Sequence, residues 1–245
     1  MSNKERLDKV LVDRGIVKSR ERAKALIMEG RVFVDGSRVA KAGAPVSADA
    51  DVAVKGADIP FVSRGGLKLQ AALDFFSIDP SGAVAMDIGC STGGFTDCLL
   101  KRGARKVYGV DVGYGQFDWT LRKDPRVVLF EKTNIRYLDR DAVGEPVDLA
   151  VIDVSFISLL KVLPRAFQFL KENGSVLALV KPQFEVERGK VGKGGVVKDE
   201  AVRLSAVEKV RRGAEETGFS VIGDFQSPLP GQKGNREYFV YLKKK

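Results

Sequence analysis

From about residue 83 onward, short runs of β-branched and aromatic residues alternate with stretches of helical period, and few architectures accept that alternation. The strand-like runs fall at 83–88, 106–110, 127–130, 149–154, 175–181, 220–225 and 237–242, with amphipathic stretches at 94–102, 158–170 and 199–217 between them. A strand that rejoins its own sheet through a helix runs parallel to its predecessor. The pattern therefore predicts an α/β fold, a doubly wound and mostly parallel sheet of seven strands. The last two runs are joined by a turn-rich segment at 227–235, which predicts one antiparallel edge strand.

The first sixty residues have a different grain. Leu7, Val10 and Leu11 recur at helical spacing, and Ser19 offers a cap to a second short helix with Ala23, Leu26 and Ile27 on one face. Gly30 stops it. Arg31-Val32-Phe33-Val34, the Asp35-Gly36 turn and Ser37-Arg38-Val39 read as a hairpin, and Val52-Ala53-Val54 as a further strand. The organisation expected is a small α+β domain over 1–60, a linker over 61–66 and an α/β domain over 67–245. Charge divides along the same lines. Residues 1–64 carry a net +4, residues 65–160 a net −2 and residues 161–245 a net +7. A near-neutral middle between basic flanks suits a small-molecule site held beside a polyanion.

Two absences narrow the chemistry. The chain has no histidine, which excludes Ser-His-Asp and Cys-His catalysis and any imidazole-ligated metal. Its two cysteines, Cys90 and Cys98, make neither a disulfide framework nor a four-cysteine zinc site. No run approaches the ~18 apolar residues of a membrane helix, and the first residues lack an apolar signal region. The expectation is a cytoplasmic protein without metal or membrane.

The sharpest local signal is Val84-Ala85-Met86-Asp87-Ile88-Gly89-Cys90-Ser91-Thr92-Gly93-Gly94-Phe95. An apolar strand runs into a glycine loop that opens a helix, so backbone N–H groups can approach a ligand. The spacing is Gly-x-x-x-Gly-Gly, not the Gly-x-Gly-x-x-Gly of dinucleotide binders. Asp87 precedes the loop, and Asp111, followed by Val112, ends the second strand where a carboxylate can take two ribose hydroxyls. Asn134 follows the third strand, placed either to meet an adenine edge or to cap its own turn.

This arrangement resembles the S-adenosylmethionine site of class I methyltransferases, a Rossmann-like fold. The resemblance implies cofactor contacts from Asp87, Gly89, Ser91, Thr92, Gly93, Gly94, Phe95, Asp111, Val112, Asn134 and Asp153.

Four charged residues stand at element ends: Lys68 near a helix start, Asp153 and Lys181 closing two apolar strands, and Glu237 opening the last one. In order and context they resemble the Lys-Asp-Lys-Glu tetrad of FtsJ-like ribose 2′-O-methyltransferases. The first sixty residues look like an S4 RNA-binding domain, on Arg6-Leu7-Asp8, Lys18-Ser19-Arg20 and Gly30-Arg31-Val32-Phe33-Val34-Asp35-Gly36. The combination is similar to the TlyA family, some of whose members are called hemolysins. That resemblance spans essentially the whole chain and implies 2′-O-methylation of cytidines in ribosomal RNA, with ribosomal RNA or subunits as partners. Lys181 would accept the hydroxyl proton, Lys68 would stabilise oxyanion charge, Asp153 would orient Lys181, and Glu237 would position Lys68 or the ribose.

Base methylation fits less well, since no Asn/Asp-Pro-Pro-Tyr/Phe segment occurs and neither cysteine follows the fourth strand. A non-catalytic ribosome assembly factor and a hemolysin-like protein are the alternatives. Arg6, Lys18, Arg20, Arg22, Lys24 and Arg64 are the expected RNA contacts. The segment Gly189-Lys190-Val191-Gly192-Lys193-Gly194-Gly195 reads as a mobile basic loop at the catalytic edge.

Overall fold

The computed structural model of the chain describes residues 4–17, 20–28, 30–55 and 59–245. It divides into two units, Met1–Val62 and Ser63–Lys245.

In the first unit the elements are β1 (Lys4–Arg6), α1 (Leu7–Asp13), α2 (Arg20–Met28), β2 (Val32–Val34), β3 (Ser37–Arg38), β4 (Pro45–Ser47) and β5 (Val52–Val54). Leu7, Val10 and Leu11 of α1 meet Ala23, Leu26 and Ile27 of α2 in one buried cluster with Val32 and Val46. The strands form an antiparallel sheet β3-β2-β5 and a separate antiparallel pair β1-β4. Asp35 and Gly36 turn the hairpin with φ of 48° and 76°, the positive pair a type I′ turn needs. Ser19, the expected cap, and Lys18 lie outside the described residues.

The second unit opens with α3 (Arg64–Phe75). Then come β6 (Val84–Ile88), α4 (Gly94–Lys101), β7 (Lys106–Val110), α5 (Trp119–Arg122), β8 (Val127–Phe130) and β9 (Val147–Ile152). It continues through α6 (Leu163–Phe169), β10 (Leu170–Val180), α7 (Pro182–Glu185), α8 (Glu200–Thr217), β11 (Phe219–Gln226) and β12 (Tyr238–Lys244). The seven strands form one sheet in the order β11-β12-β10-β9-β6-β7-β8. Neighbours from β10 to β8 are parallel, and β12 is antiparallel to both β10 and β11. This is the mostly parallel, Rossmann-like α/β sheet that the alternation implies.

Three local expectations differ from the structure. The antiparallel strand is not at the edge. It fills the slot between β10 and β11, and its near-continuous apolar run, with Tyr238, Phe239, Val240 and Leu242 buried, is what an interior strand requires. Alternately exposed β11 takes the edge instead. Second, Arg64, Gly65 and Gly66, expected in the linker, form the first turn of α3 after an extended Ser63. The glycines there permit close packing: a β-carbon on Gly94 of α4 would stand 3.0 Å from the Gly66 nitrogen. Third, the helical stretch 158–170 divides into a 3₁₀ turn, Leu159–Lys161, and α6. Pro164 in the first turn of α6 has no N–H to continue the preceding turn.

Among the described residues no helix is long and apolar enough to cross a membrane. None of them form a group of three or more Cys, Asp or Glu able to hold a metal ion.

Candidate active site

The carboxyl ends of the parallel strands bring the charged residues together. β9 stops at Ile152, and Asp153 follows it, donating its N–H to Ile88 O at 2.9 Å. β10 stops at Val180, which pairs with Tyr238 of β12, so Lys181 and Glu237 are the next residues outward on adjacent strands. Lys181 Nζ stands 2.6 Å from Asp153 Oδ1 and donates to Ser155 Oγ at 2.9 Å. Lys68, one turn into α3, reaches Glu237 Oε2 at 2.6 Å. The Glu237 side chain is only 2% exposed and that of Lys68 12%. Two lysine–carboxylate pairs thus sit side by side at one edge, each carboxylate fixing its cation. Burying a charge so deeply is tolerable only with such a partner.

Beside them opens a cavity of about 460 Å³, within the usual range for small-molecule sites. Gly89, Ser91, Asp111, Val112, Asn134 and Asp153 line it. Gly89 has φ +85°, and a β-carbon there would lie 2.5 Å from Asp153 O, so only glycine lets β6 end this close to the next strand. The Asp111 carboxylate is held in place, accepting Ser91 N–H at 2.8 Å on Oδ2 and Gly113 N–H at 2.6 Å on Oδ1. Asn134 caps its own turn, its Oδ1 accepting Arg136 N–H at 3.1 Å, and also borders the cavity. Ile88, Val110, Ile135 and Val154 supply an apolar lining.

Five expected cofactor contacts lie off this cavity. Asp87 is fully buried, accepting the Thr96 hydroxyl on Oδ2 at 2.7 Å while Oδ1 has no partner among the described residues. Burial pushes its carboxyl up to about 7, partly opposed by the Thr96 hydrogen bond. Gly93, at φ +93°, packs against Phe117 and Leu121 of the loop and helix beyond β7, and Gly94 against α3. Phe95 is buried, its ring centroid 6.1 Å from that of Phe239, and Thr92 accepts Asp118 N–H through its backbone. Asp87, Gly93, Gly94 and Phe95 thus pack into the body of the unit around the loop. Burial also pushes both thiols up, Cys98 to about 12, so neither is poised as a nucleophile.

Gln116, Thr133, Ser155 and Phe156 line the cavity without having been singled out from the sequence. Gln116 donates to Asp111 Oδ1 at 3.2 Å. Phe156 is 89% exposed with φ +64°, a backbone conformation that costs a non-glycine residue free energy and that recurs at functional sites. The strand-end rule that found Asp153 also points to the residues just after it; their polarity alone did not.

The basic residues of the first unit are less free than their charge suggests. Asp8 is completely buried, and Arg6 and Arg20 both bind it, at 3.0 and 2.8 Å. Their guanidinium groups hold its carboxyl well below the usual carboxylate range. Arg22 donates to Val62 O at 3.1 Å, while Lys24 is exposed. In the second unit Arg64 donates to Pro230 O at 3.4 Å. The glycine-rich segment after β10 is pinned as well: Asn235 donates to Gly195 O at 2.8 Å, and its Oδ1 accepts Val197 N–H at 3.1 Å.

Comparison with known proteins places these features in a family context. The FtsJ-like methyltransferase family matches residues 61–244, and the S4 domain matches residues 5–52. The 16S/23S rRNA (cytidine-2′-O)-methyltransferase TlyA of Mycobacterium tuberculosis is 47% identical over 244 residues, covering 99% of this chain and 91% of that protein. Hemolysin A of Brachyspira hyodysenteriae is 39% identical over 238 residues, covering 97% of this chain and 99% of that protein. A solved structure of a hemolysin-named protein from Streptococcus thermophilus covers 100% of this chain and 90% of its own, with 41% identity and a TM-score of 0.78.

Proposed function

The chain belongs to the TlyA family, FtsJ-like methyltransferases with an S4 domain ahead of the methyltransferase domain, and on that premise we propose that it methylates the ribose 2′-hydroxyl of cytidine in ribosomal RNA, using S-adenosylmethionine. The observation that carries this reading is the adjacency of two lysine–carboxylate pairs, Lys181–Asp153 and Lys68–Glu237, beside an apolar cavity with a fixed carboxylate.

The cavity suits the cofactor. Asp111, anchored by two backbone N–H groups and Gln116, keeps a lone pair on Oδ2 for a ribose hydroxyl, and the cap on Arg136 leaves the Asn134 amide nitrogen for a base edge. Gly89 provides the close backbone approach, and the aliphatic walls suit an adenine face. S-adenosylmethionine supplies a methyl group on a positively charged sulfur, an electrophile needing no further activation.

The acceptor is the harder half. A ribose hydroxyl is a poor nucleophile near neutrality, so the protein must take its proton, stabilise the oxygen and hold it in line. Lys181 Nζ takes the proton as a neutral amine, its own ammonium proton having first passed to solvent. Asp153, which also lines the cavity, keeps that nitrogen at the strand end, and Ser155 Oγ fixes it from a second direction. Lys68, held by a nearly solvent-free Glu237, is the standing positive charge that lowers the cost of the developing oxyanion. The S4 domain contributes affinity for the RNA backbone.

The test is transfer of label from S-adenosylmethionine to ribosomal RNA or subunits, followed by nucleoside analysis. A second substrate carries a 2′-deoxy residue at the mapped position. Label in 2′-O-methylcytidine, lost with the deoxy substrate, supports the reading. Label on a base, or undiminished transfer to the deoxy substrate, overturns it. Lys181→Ala should abolish transfer while cofactor affinity stays near wild type, because the lysine acts in the transition state.

A further inference from the structure

The Lys68–Glu237 pair is covered by a segment of chain with little regular structure, a single 3₁₀ turn at Gln232–Gly234. Residues 227–237 link β11 to β12 and fold over the Glu237 carboxylate, with Ser227 N–H donating to Glu237 O at 2.9 Å. The Gly231 backbone lies directly on the carboxylate, and a β-carbon on Gly231 would overlap Glu237 Oε1. A hood of this kind determines where the carboxylate sits, yet a segment of this length without a ladder would sample many positions.

Two side chains tie the hood to the rest of the unit: Arg64 of α3 donates to Pro230 O at 3.4 Å, and the buried Asn235 makes the closer set of contacts. Asn235, 3% exposed, accepts Val197 N–H on Oδ1 at 3.1 Å and donates from Nδ2 to Gly195 O at 2.8 Å, as a neighbouring strand would. Its own carbonyl accepts Gly231 N–H at 2.8 Å, so the same residue fixes the glycine above Glu237. The segment it grips is anchored in turn: Arg203 of α8 donates to Val197 O at 3.3 Å and to Lys198 O at 2.5 Å. The chain of contacts runs from α8, through the backbone at 195–198, through Asn235, to the hood and the carboxylate.

We infer that Asn235 is a positioning residue, whose side-chain amide clasps the glycine loop at 192–197 to the hood at 227–237 and so holds Glu237 in register with Lys68. This rests on the ribose-transfer reading above. It also changes the expectation for the basic glycine loop. The loop is joined to the catalytic carboxylate rather than closing as an independent flap, so Lys190 and Lys193 ride on the same body that positions Glu237.

The experiment compares wild type, Asn235→Ala and Asn235→Asp in methyl transfer to ribosomal RNA, with rates expressed per S-adenosylmethionine-binding site counted by calorimetry. Small displacements of a positioned group cost up to about a hundredfold in rate. Asn235→Ala should therefore lower kcat about tenfold to a hundredfold, with KM for RNA and cofactor affinity near wild type. The aspartate variant separates positioning from bulk stability. A protonated carboxyl has the shape of the amide, with a carbonyl for Val197 N–H and a hydroxyl to donate to Gly195 O; the ionised form has nothing to donate. The charged groups near the clasp are Glu237, Arg203 on the Val197 and Lys198 carbonyls, and Lys233 beside Gly195.

Burial at this 3% exposed position raises an introduced carboxyl above the ordinary aspartate range, so the ratio of Asn235→Asp kcat to wild-type kcat should rise as pH falls from about 8 to about 6. An unchanged kcat per site in Asn235→Ala, or a flat ratio in Asn235→Asp, overturns the inference. If Asn235→Ala does not fold, the aspartate ratio decides. Wild type that transfers no methyl to ribose defeats the functional reading instead, and the two failures are distinct.

Discussion

Asp87→Asn isolates the free energy of a carboxyl buried behind the glycine loop. Its side chain has no solvent access, one oxygen without a partner among the described residues, and a carboxyl pushed by burial from 3.8 to about 7. Between those values the folded chain keeps a proton that the unfolded chain has released. The group therefore makes stability fall as pH rises through the window, and it adds no slope above or below it. Three pKa units at about 1.36 kcal/mol each amount to roughly 4 kcal/mol across the window. Asparagine has nearly the same shape, its amide oxygen can accept the Thr96 hydroxyl, and it does not titrate.

The stability of Asp87→Asn minus that of wild type should therefore be constant below about pH 3 and rise by roughly 4 kcal/mol by pH 8. Urea unfolding followed by the fluorescence of the single tryptophan, Trp119, reads this directly in the second unit. Subtracting the two pH profiles removes every other titrating group. Parallel profiles, differing by less than about 1 kcal/mol across the range, would refute a buried carboxyl that is neutral in the fold.

Two further outcomes follow from the ion pairs. Glu237→Ala leaves Lys68 with no counter-charge at a nearly dry site and should cost about 3–5 kcal/mol in chemical unfolding. Lys68→Met with Glu237→Leu should recover most of that stability and still show no methyl transfer. In the S4 domain, Lys24→Ala should lower the slope of log affinity against log salt by about 0.7–0.9 in RNA titrations, with thermal stability unchanged. Arg20→Ala, which strips a partner from buried Asp8, should also lower the melting temperature; equal melting of the two variants would contradict the Asp8 pairing.

The sequence by itself determined the elements and much of the site's outline. Periodicity reports which face of a segment is buried, so the alternation after residue 83 was enough for all seven strands of the sheet. A charge that terminates an apolar run is conspicuous, which is why Asp153 and Lys181 were legible as strand ends before any fold was known. Only the tertiary structure decided what those ends would meet. Lys68 and Glu237 are 169 residues apart and pair because β12 enters the sheet beside β10, and no local pattern encodes that sheet order. The same holds for the glycines: Gly89 borders the cavity while Gly93 and Gly94 admit neighbouring side chains and helix α3, a division set by what packs behind the loop. Composition likewise counts Arg6 and Arg20 as basic but is blind to Asp8 buried between them. Local burial preference is a property of a segment; its partners are a property of the whole chain, because long-range contacts form only once the layers have closed.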